Sequence, residues 1–268
     1  MSLQIVVCGS LVPDPLQTLE PVQTPNGPGL KNETMLPSVL DPWAACALYE
    51  AAHLAEQVAG SQVYLVSLGP KAKLQQLMMS VAQKVPFQLV AVDGSAGGFT
   101  DSALVAEELA KAIESIPGLD KSKLLIFGGC ASASHDAGVT LQLVGERLGI
   151  RDLFTGVDEL KVNADGSFSV LERVEGGCYQ ASTCQGAPAV IAWATGNLPE
   201  PPNNPRIGMA NMRLVMPALM KAKPAPQVGV GGIAYEKTEV PAQKRDTRVV
   251  KDLSTDDIAK EIVEWIKQ

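Results

Sequence analysis

The chain has 268 residues, about twice the commonest domain size, which leaves room for one large α/β domain or for a domain carrying an arm. It is 46% hydrophobic, enough to fill a sizeable core and too much for an intrinsically disordered chain. Its 29 acidic against 22 basic side chains, a net charge of −7, argue against a protein that grips a phosphate backbone. No run approaches the ~18 apolar residues of a membrane span.

The amino terminus enters an apolar run at once, without a charged leader or a separate cleavage site, so a cytoplasmic location is expected. The five cysteines, Cys8, Cys46, Cys130, Cys178 and Cys184, are odd in number and widely spread, which reads as free thiols in a reducing compartment. The two histidines, His53 and His135, show no H-x-x-H spacing, so neither a metal site nor a histidine-based triad is expected. An aromatic content of 4% removes stacking platforms for single-stranded nucleic acid.

Residues 3–8 (LQIVVC) form a continuous apolar run ending at Gly9-Ser10, the pattern of a strand buried on both faces. A loop of Pro, Asn and Gly follows from 13 to 40. Asp41 then makes a good helix cap with Pro42 in the first helical position, and Ala47, Leu48, Ala51, Leu54, Ala55 and Val58 recur at helical spacing until Gly60. Residues 63–68 predict a second strand, 71–84 a helix, 88–92 a strand and 100–116 a helix. Residues 123–127 (KLLIF) predict a fourth strand closed by Gly128-Gly129, with helical pattern to about 148. Strands and helices alternating through short connections imply an open, mostly parallel sheet with helices on both faces, like adenine-nucleotide alpha-hydrolase or flavodoxin folds.

Beyond 150 the pattern changes. Residues 157–162 and 167–174 flank Asn163, Ala164, Asp165 and Gly166 and predict a β-hairpin, and 189–194 (AVIAWA) read as one more buried strand. A loop rich in Pro and Asn runs from 196 to 205, and sequence of low periodicity continues to 250. The chain closes with a short amphipathic helix capped by Ser254, with Asp257 three residues on and an apolar stripe of Ile258, Ile262, Trp265 and Ile266. That helix packs either on its own domain or on a partner subunit.

In an open parallel sheet, ligands sit at the carboxyl ends of the strands, where helix starts present free N–H groups to anions. Four such places occur: Cys8-Gly9-Ser10, Asp41 to Ala44, Leu68-Gly69, and the loop from Gly128 to Gly138. That loop reads GGCASASHDAG. Its small residues let the backbone approach a phosphate, and Ser132, Ser134 and Thr140 add hydroxyl donors, which points to nucleotide binding. An ordinary strand-to-helix connection favours the same residue types. No G-x-x-x-x-G-K-[ST] and no strand-linked G-x-G-x-x-G is present, and residues 94–98 and 229–232 read as plain loops. His135 adjoins Asp136, but adjacent side chains rarely converge on one substrate. With no nucleophile beside a base and no carboxylate pair at helical spacing, a binding protein is expected and not an enzyme.

Several segments, taken in order, resemble one family. The apolar first strand leads to Val12-Pro13-Asp14; Leu40-Asp41-Pro42-Trp43-Ala44, with Glu50 further on, is similar to an N-P-[FY] helix start; and Val66-Ser67-Leu68-Gly69-Pro70 is similar to V-S-x-G-P. Glu172-Arg173, Gly176-Gly177 and Pro188-Ala189-Val190 follow, then Asn204-Pro205-Arg206 and Met216-Pro217-Ala218-Leu219-Met220-Lys221-Ala222. Together these resemble the beta subunit of electron transfer flavoproteins, over nearly the whole chain.

The resemblance implies a subunit that binds AMP, or a second FAD in bifurcating members, and pairs as a heterodimer with an alpha subunit carrying the redox-active FAD. Electrons would pass from acyl-CoA-type or other dehydrogenases to the respiratory chain or another acceptor. It implies nucleotide contacts at Cys8, Gly9, Asp41, Pro42, Trp43, Ala44 and Leu68, and along Gly129, Cys130, Ser132, Ser134, His135, Asp136, Ala137, Gly138, Val139 and Thr140. Met216 and Pro217 would lie at the tip of a partner-recognition loop. Residues 1–195 would then be the nucleotide-binding domain and 196–268 the recognition loop and carboxyl-terminal arm. Ser10 stands where the family has Lys, and the nucleotide loop carries a single acidic residue. A stand-alone adenine-nucleotide-binding module and an ATP pyrophosphatase-like enzyme are the rival readings; the phosphate loop that the latter needs after the first strand is not provided by Cys8-Gly9-Ser10-Leu11.

Overall fold

The computed structural model describes residues 2–24, 27–95, 99–134, 138–226, 229, 231–232, 236–237, 239, 242 and 249–267. The chain divides into two compact units, Met1–Thr238 and Glu239–Gln268.

The first unit begins with β1 (Gln4–Cys8), β2 (Leu11–Pro13), β3 (Pro21–Thr24), β4 (Gly27–Leu30) and β5 (Ser38–Leu40). Helices and strands then alternate as α1 (Pro42–Gln57), β6 (Gln62–Gly69), α2 (Lys71–Val81), β7 (Gln88–Asp93), α3 (Ser102–Glu114), β8 (Leu124–Gly129) and α4 (Thr140–Arg147). The second half adds β9 (Leu153–Val162), β10 (Phe168–Arg173), β11 (Tyr179–Cys184), β12 (Ala189–Trp193), α5 (Pro205–Met220) and β13 (Lys223–Pro224). The nine-stranded sheet has the order β11-β10-β9-β12-β8-β1-β6-β7-β13. From β9 to β13 every pairing is parallel, while β9, β10 and β11 pair antiparallel. The expected open, mostly parallel sheet and the hairpin are both present.

Successive residues of β1 serve opposite faces, which is why its apolar run is unbroken. Ile5 and Val7 join a core with Leu48, Leu77 and Val215 from α1, α2 and α5, while Val6 joins Leu109, Ile113 and Val144 from α3 and α4. The α1 start behaves as its sequence dictates: Asp41 caps it by accepting from Trp43 N, and Pro42 takes a position whose missing N–H costs nothing.

Three segments differ from expectation. Residues 13–40 are not all loop, because β2 pairs with β5 and β3 with β4 in short antiparallel ribbons. Strand β11 has no apolar alternation because it is an edge strand exposed along most of its length. The largest correction is α5, in a stretch expected to lack periodic structure. Asn204 caps it, accepting from Arg206 N and Ile207 N, and Pro205 follows at the first position. Its buried face is Gly208, Asn211, Val215 and Leu219, while Met209, Leu214, Met216 and Met220 are exposed. Half of the buried face is therefore Gly and Asn and much of the exposed face is apolar, which erases the stripe by which an amphipathic helix is recognised. Asn211 does the anchoring instead: its Nδ2 donates to the carbonyls of Ala82 and Val85, each at 2.7 Å.

In the second unit, α6 (Thr255–Ile266) is capped as expected, with Ser254 accepting from Asp257 N, and none of its residues is buried. Among the described residues no helix is long and apolar enough to cross a membrane. None of the five cysteines forms a disulfide.

Candidate nucleotide-binding site

The tips of β1, β6 and β8 are drawn together by glycines and one buried hydroxyl. Gly9 N donates to Val66 O at 3.0 Å, and Ser67 Oγ donates to Gly9 O at 2.7 Å. A Cβ on Gly9 would lie 2.8 Å from Leu65 Cδ1 and 2.9 Å from Leu40 Cδ1, so only glycine lets β1 end this close to its neighbours. Across the sheet, a Cβ on Gly128 would lie 2.9 Å from Leu141 Cδ1, and one on Gly129 would strike the Cβ of Trp43. These contacts seat α4 and α1 directly against β8.

A cavity opens where those tips meet the starts of α1, α3 and α4. It encloses about 920 Å³ of empty space, a figure that includes open solvent at its mouth. Of the residues expected here, Cys8, Gly9, Asp41, Ala44, Leu68, Gly129, Ser132, Ser134, Gly138, Val139 and Thr140 line it. Pro42, Trp43 and Cys130 are not among its lining residues. Trp43 serves as the wall that Gly129 abuts, and Cys130 N donates to Trp193 O at 2.8 Å, fixing the start of the loop. His135, Asp136 and Ala137 lie outside the described residues.

Sequence reading missed part of the wall. Thr100, Ser102, Val105 and Leu109, at and after the α3 start, line the cavity, as do Leu11, Val12 and Leu141. The strand-end rule applied to β7 would have pointed to the α3 start, but the Gly-rich stretch before it read as a plain turn.

Asp41 organises the floor. It is 1% exposed, and its Oδ1 accepts from Trp43 N at 3.1 Å. Its Oδ2 accepts from Ala133 N at 2.8 Å and from Ser132 Oγ at 3.0 Å, tying the small-residue loop to the start of α1. Burial pushes its carboxyl above the usual carboxylate range, and the hydrogen bonds from Ala133, Ser132, Trp43 and Ala44 pull the other way. Burial also pushes the Cys8 thiol up to about 12, which disfavours its thiolate.

The opposite wall offers donors. Helix α4 begins after Val139, which gives no side-chain cap, so its first-turn N–H groups depend on partners from outside the helix. Gly138 precedes it with φ +64°, and Gly138, Val139 and Thr140 all border the cavity. No lysine or arginine is among the described residues that line it, so an anion would be met by backbone N–H groups and the α4 dipole.

Met216 and Pro217, expected at a loop tip, sit inside α5. Met216 is 38% exposed and neither residue lines the cavity. Among the described residues no cluster of three or more His, Cys, Asp or Glu could hold a metal.

No curated protein matches the chain closely enough to count as a relative. The model of the electron transfer flavoprotein domain matches residues 32–227, a span that runs from before α1 to beyond β13 and covers most of the sheet. Proteins of that family are flavin-associated, carry electrons in place of catalysing reactions of their own, and generally work as heterodimers with partner dehydrogenases. A match over well more than half of the length, on a sheet of the expected architecture, establishes that the chain belongs to the electron transfer flavoprotein family.

Proposed function

We propose that this chain is the beta-type subunit of an electron transfer flavoprotein and that the cavity at the strand tips holds an adenine nucleotide, AMP or a second FAD. The observation that supports this reading most is the coincidence of two independent indications. The glycine-bounded cavity lies at the carboxyl ends of the parallel strands, where open α/β sheets generally bind ligands, and its lining contains most of the residues that the family resemblance implies.

The donor set fits a phosphate-bearing ligand. The α4 first turn, without a side-chain cap, would take the phosphate, and Gly9, Gly128 and Gly129 keep the backbone close enough to be touched. Cys8, Leu68 and Ala44 would pack on the remainder of the nucleotide. Residues 1–195 would supply this site, and α5 with the rest of 196–268 would meet partners, Met216 and Pro217 among the contacts. An alpha subunit would carry the redox-active FAD, which supplies the electron-accepting chemistry. This chain would hold the nucleotide, complete the flavin's surroundings and dock an acyl-CoA-type or other dehydrogenase, in the cytoplasm, without catalysis of its own.

The test is to co-express the chain with a flavin-bearing partner, denature the purified protein and identify the released nucleotides by mass spectrometry. AMP, or FAD beyond one per heterodimer, in stoichiometric amount is the expected result. Finding neither overturns the reading.

A further inference from the structure

We infer that Ser67 is a positioning residue of the nucleotide site: its hydroxyl stops the β1–β6 ladder one rung short, so that the Leu68 N–H is left for a ring nitrogen of the adenine. The inference rests on the nucleotide reading above and deepens it by naming the group that meets the base.

In a parallel sheet the N–H and C=O of one residue face one neighbouring strand, and those of the next residue face the other. Two bonds set that phase in β6. Val66 O accepts from Gly9 N at 3.0 Å, so Val66 faces β1, and Gly69 O accepts from Gly94 N at 3.2 Å, so Gly69 faces β7. Leu68 lies two positions after Val66 and so turns its N–H toward the line of β1. Its partner there would be Gly9 O. That rung is not formed, and the β1–β6 register ends at Cys8 and Val66. Gly9 O accepts instead from Ser67 Oγ at 2.7 Å, and both residues are buried. The hydroxyl thus occupies the carbonyl that the ladder would have used. The chain then turns off toward α1, with Ser10 O accepting from Asp41 N at 2.9 Å.

Leu68 borders the cavity and is 4% exposed, so its N–H is a donor set deep in the site. Buried backbone N–H groups without a partner are rare in native proteins, which marks this one as a ligand contact. Around it the cavity is apolar, with Leu11, Val12, Val105 and Leu109 in its lining. A phosphate there would give up its water for a single N–H, whereas a purine lays its faces on apolar walls and needs a donor only at its edge. The anion is left to Gly138, Val139 and the α4 start. Removing the Ser67 hydroxyl frees Gly9 O, and the donor due to it in ladder register is Leu68 N. The rung then closes and the base loses its partner.

The experiment titrates the full-length chain, freed of copurifying nucleotide, with AMP and with its 1-deaza, 3-deaza and 7-deaza analogues. Calorimetry is run on wild type and Ser67→Ala, with circular dichroism confirming the fold of each. In wild type one of the three analogues is expected to bind at least about tenfold more weakly than AMP, because its C–H faces a buried N–H. In Ser67→Ala that ratio is expected to fall to within about twofold. A hydroxyl that only held the strands together would lower stability and leave the ratio alone. The Leu68 amide gives a second readout, which serves should Ser67→Ala fail to fold. In wild type its hydrogen exchange, followed by NMR, is expected to slow at least about tenfold on adding AMP. Three analogues that bind as AMP does, a ratio unchanged in folded Ser67→Ala, or exchange at Leu68 that AMP leaves alone each overturn the assignment and spare the nucleotide reading. Failure of wild type to bind AMP overturns both.

Discussion

Arg173 grips Asp158 with two parallel hydrogen bonds, Nε to Oδ2 at 2.9 Å and Nη2 to Oδ1 at 3.0 Å, across the hairpin formed by β9 and β10. Asp158 is 3% exposed, and Tyr179 Oη on β11 adds a third donor at 3.1 Å. One buried carboxylate thereby joins three strands at the antiparallel end of the sheet.

Removing the arginine leaves that carboxylate buried with weaker partners. Arg173→Ala should lower stability by about 1–2 kcal/mol, a figure discounted because half of the arginine side chain is exposed. Urea unfolding measures it. Arg173→Lys should restore less than half of the loss, since an ammonium cannot form the two-pronged contact.

Glu50 should make stability fall as pH rises. Its carboxyl is partly buried on α1, and burial pushes its pKa above the ordinary 4.5, against the pull of the Asn197 amide that donates to Oε1 at 3.1 Å. The folded state therefore holds the proton more tightly than the unfolded chain. Its stabilising effect is complete below pH ~4.5 and is lost as pH climbs through the raised value. Glu50→Gln keeps the acceptor for Asn197 and removes the charge. Thermal melts across pH 4 to 8 should find the variant equal to or more stable than wild type at neutral pH, with the gap narrowing in acid.

Gly129 should tolerate no side chain. A Cβ there would strike Trp43 Cβ and lie 2.9 Å from Ala131 O, so backbone and not a flexible side-chain end would have to move. Gly129→Ala should cost about 1–3 kcal/mol and weaken AMP binding in titration calorimetry, because α1 and the small-residue loop are displaced together.

Asn211 is the latch of α5. Replacing it with Ala strands the buried carbonyls of Ala82 and Val85 and should cost about 2–4 kcal/mol by urea unfolding. Asn211→Asp should be worse, because a carboxylate offers both carbonyls no donor. Neither change touches the cavity, so AMP affinity in the folded fraction should stay as in wild type.

The sequence was legible wherever a signal was local. The two-residue alternation that places Ile5 and Val7 on one face and Val6 on the other collapses into an unbroken apolar run once both faces are covered, and that run is visible in the sequence alone. The Asp41-Pro42 helix start and the Ser254 cap each involve residues within three positions and were equally plain. Helix α5 was hidden because its buried side uses Asn211 and Gly208 where a stripe would need Leu, and what makes that face fit is the carbonyls and Gln83 of a distant segment.

By itself, then, the sequence determined the order of strands and helices, the parallel sheet and the small-residue tips where a ligand belongs. All of these follow from spacing and backbone preference within a few residues. Only the tertiary structure decided how those tips behave chemically. Whether Ser132 offers or withholds its proton depends on a carboxylate 91 positions earlier in the chain, and whether Gly129 is obligatory depends on Trp43 folding back onto it. Hydrogen-bond direction and steric contact belong to groups that folding brings together, and no local pattern encodes them.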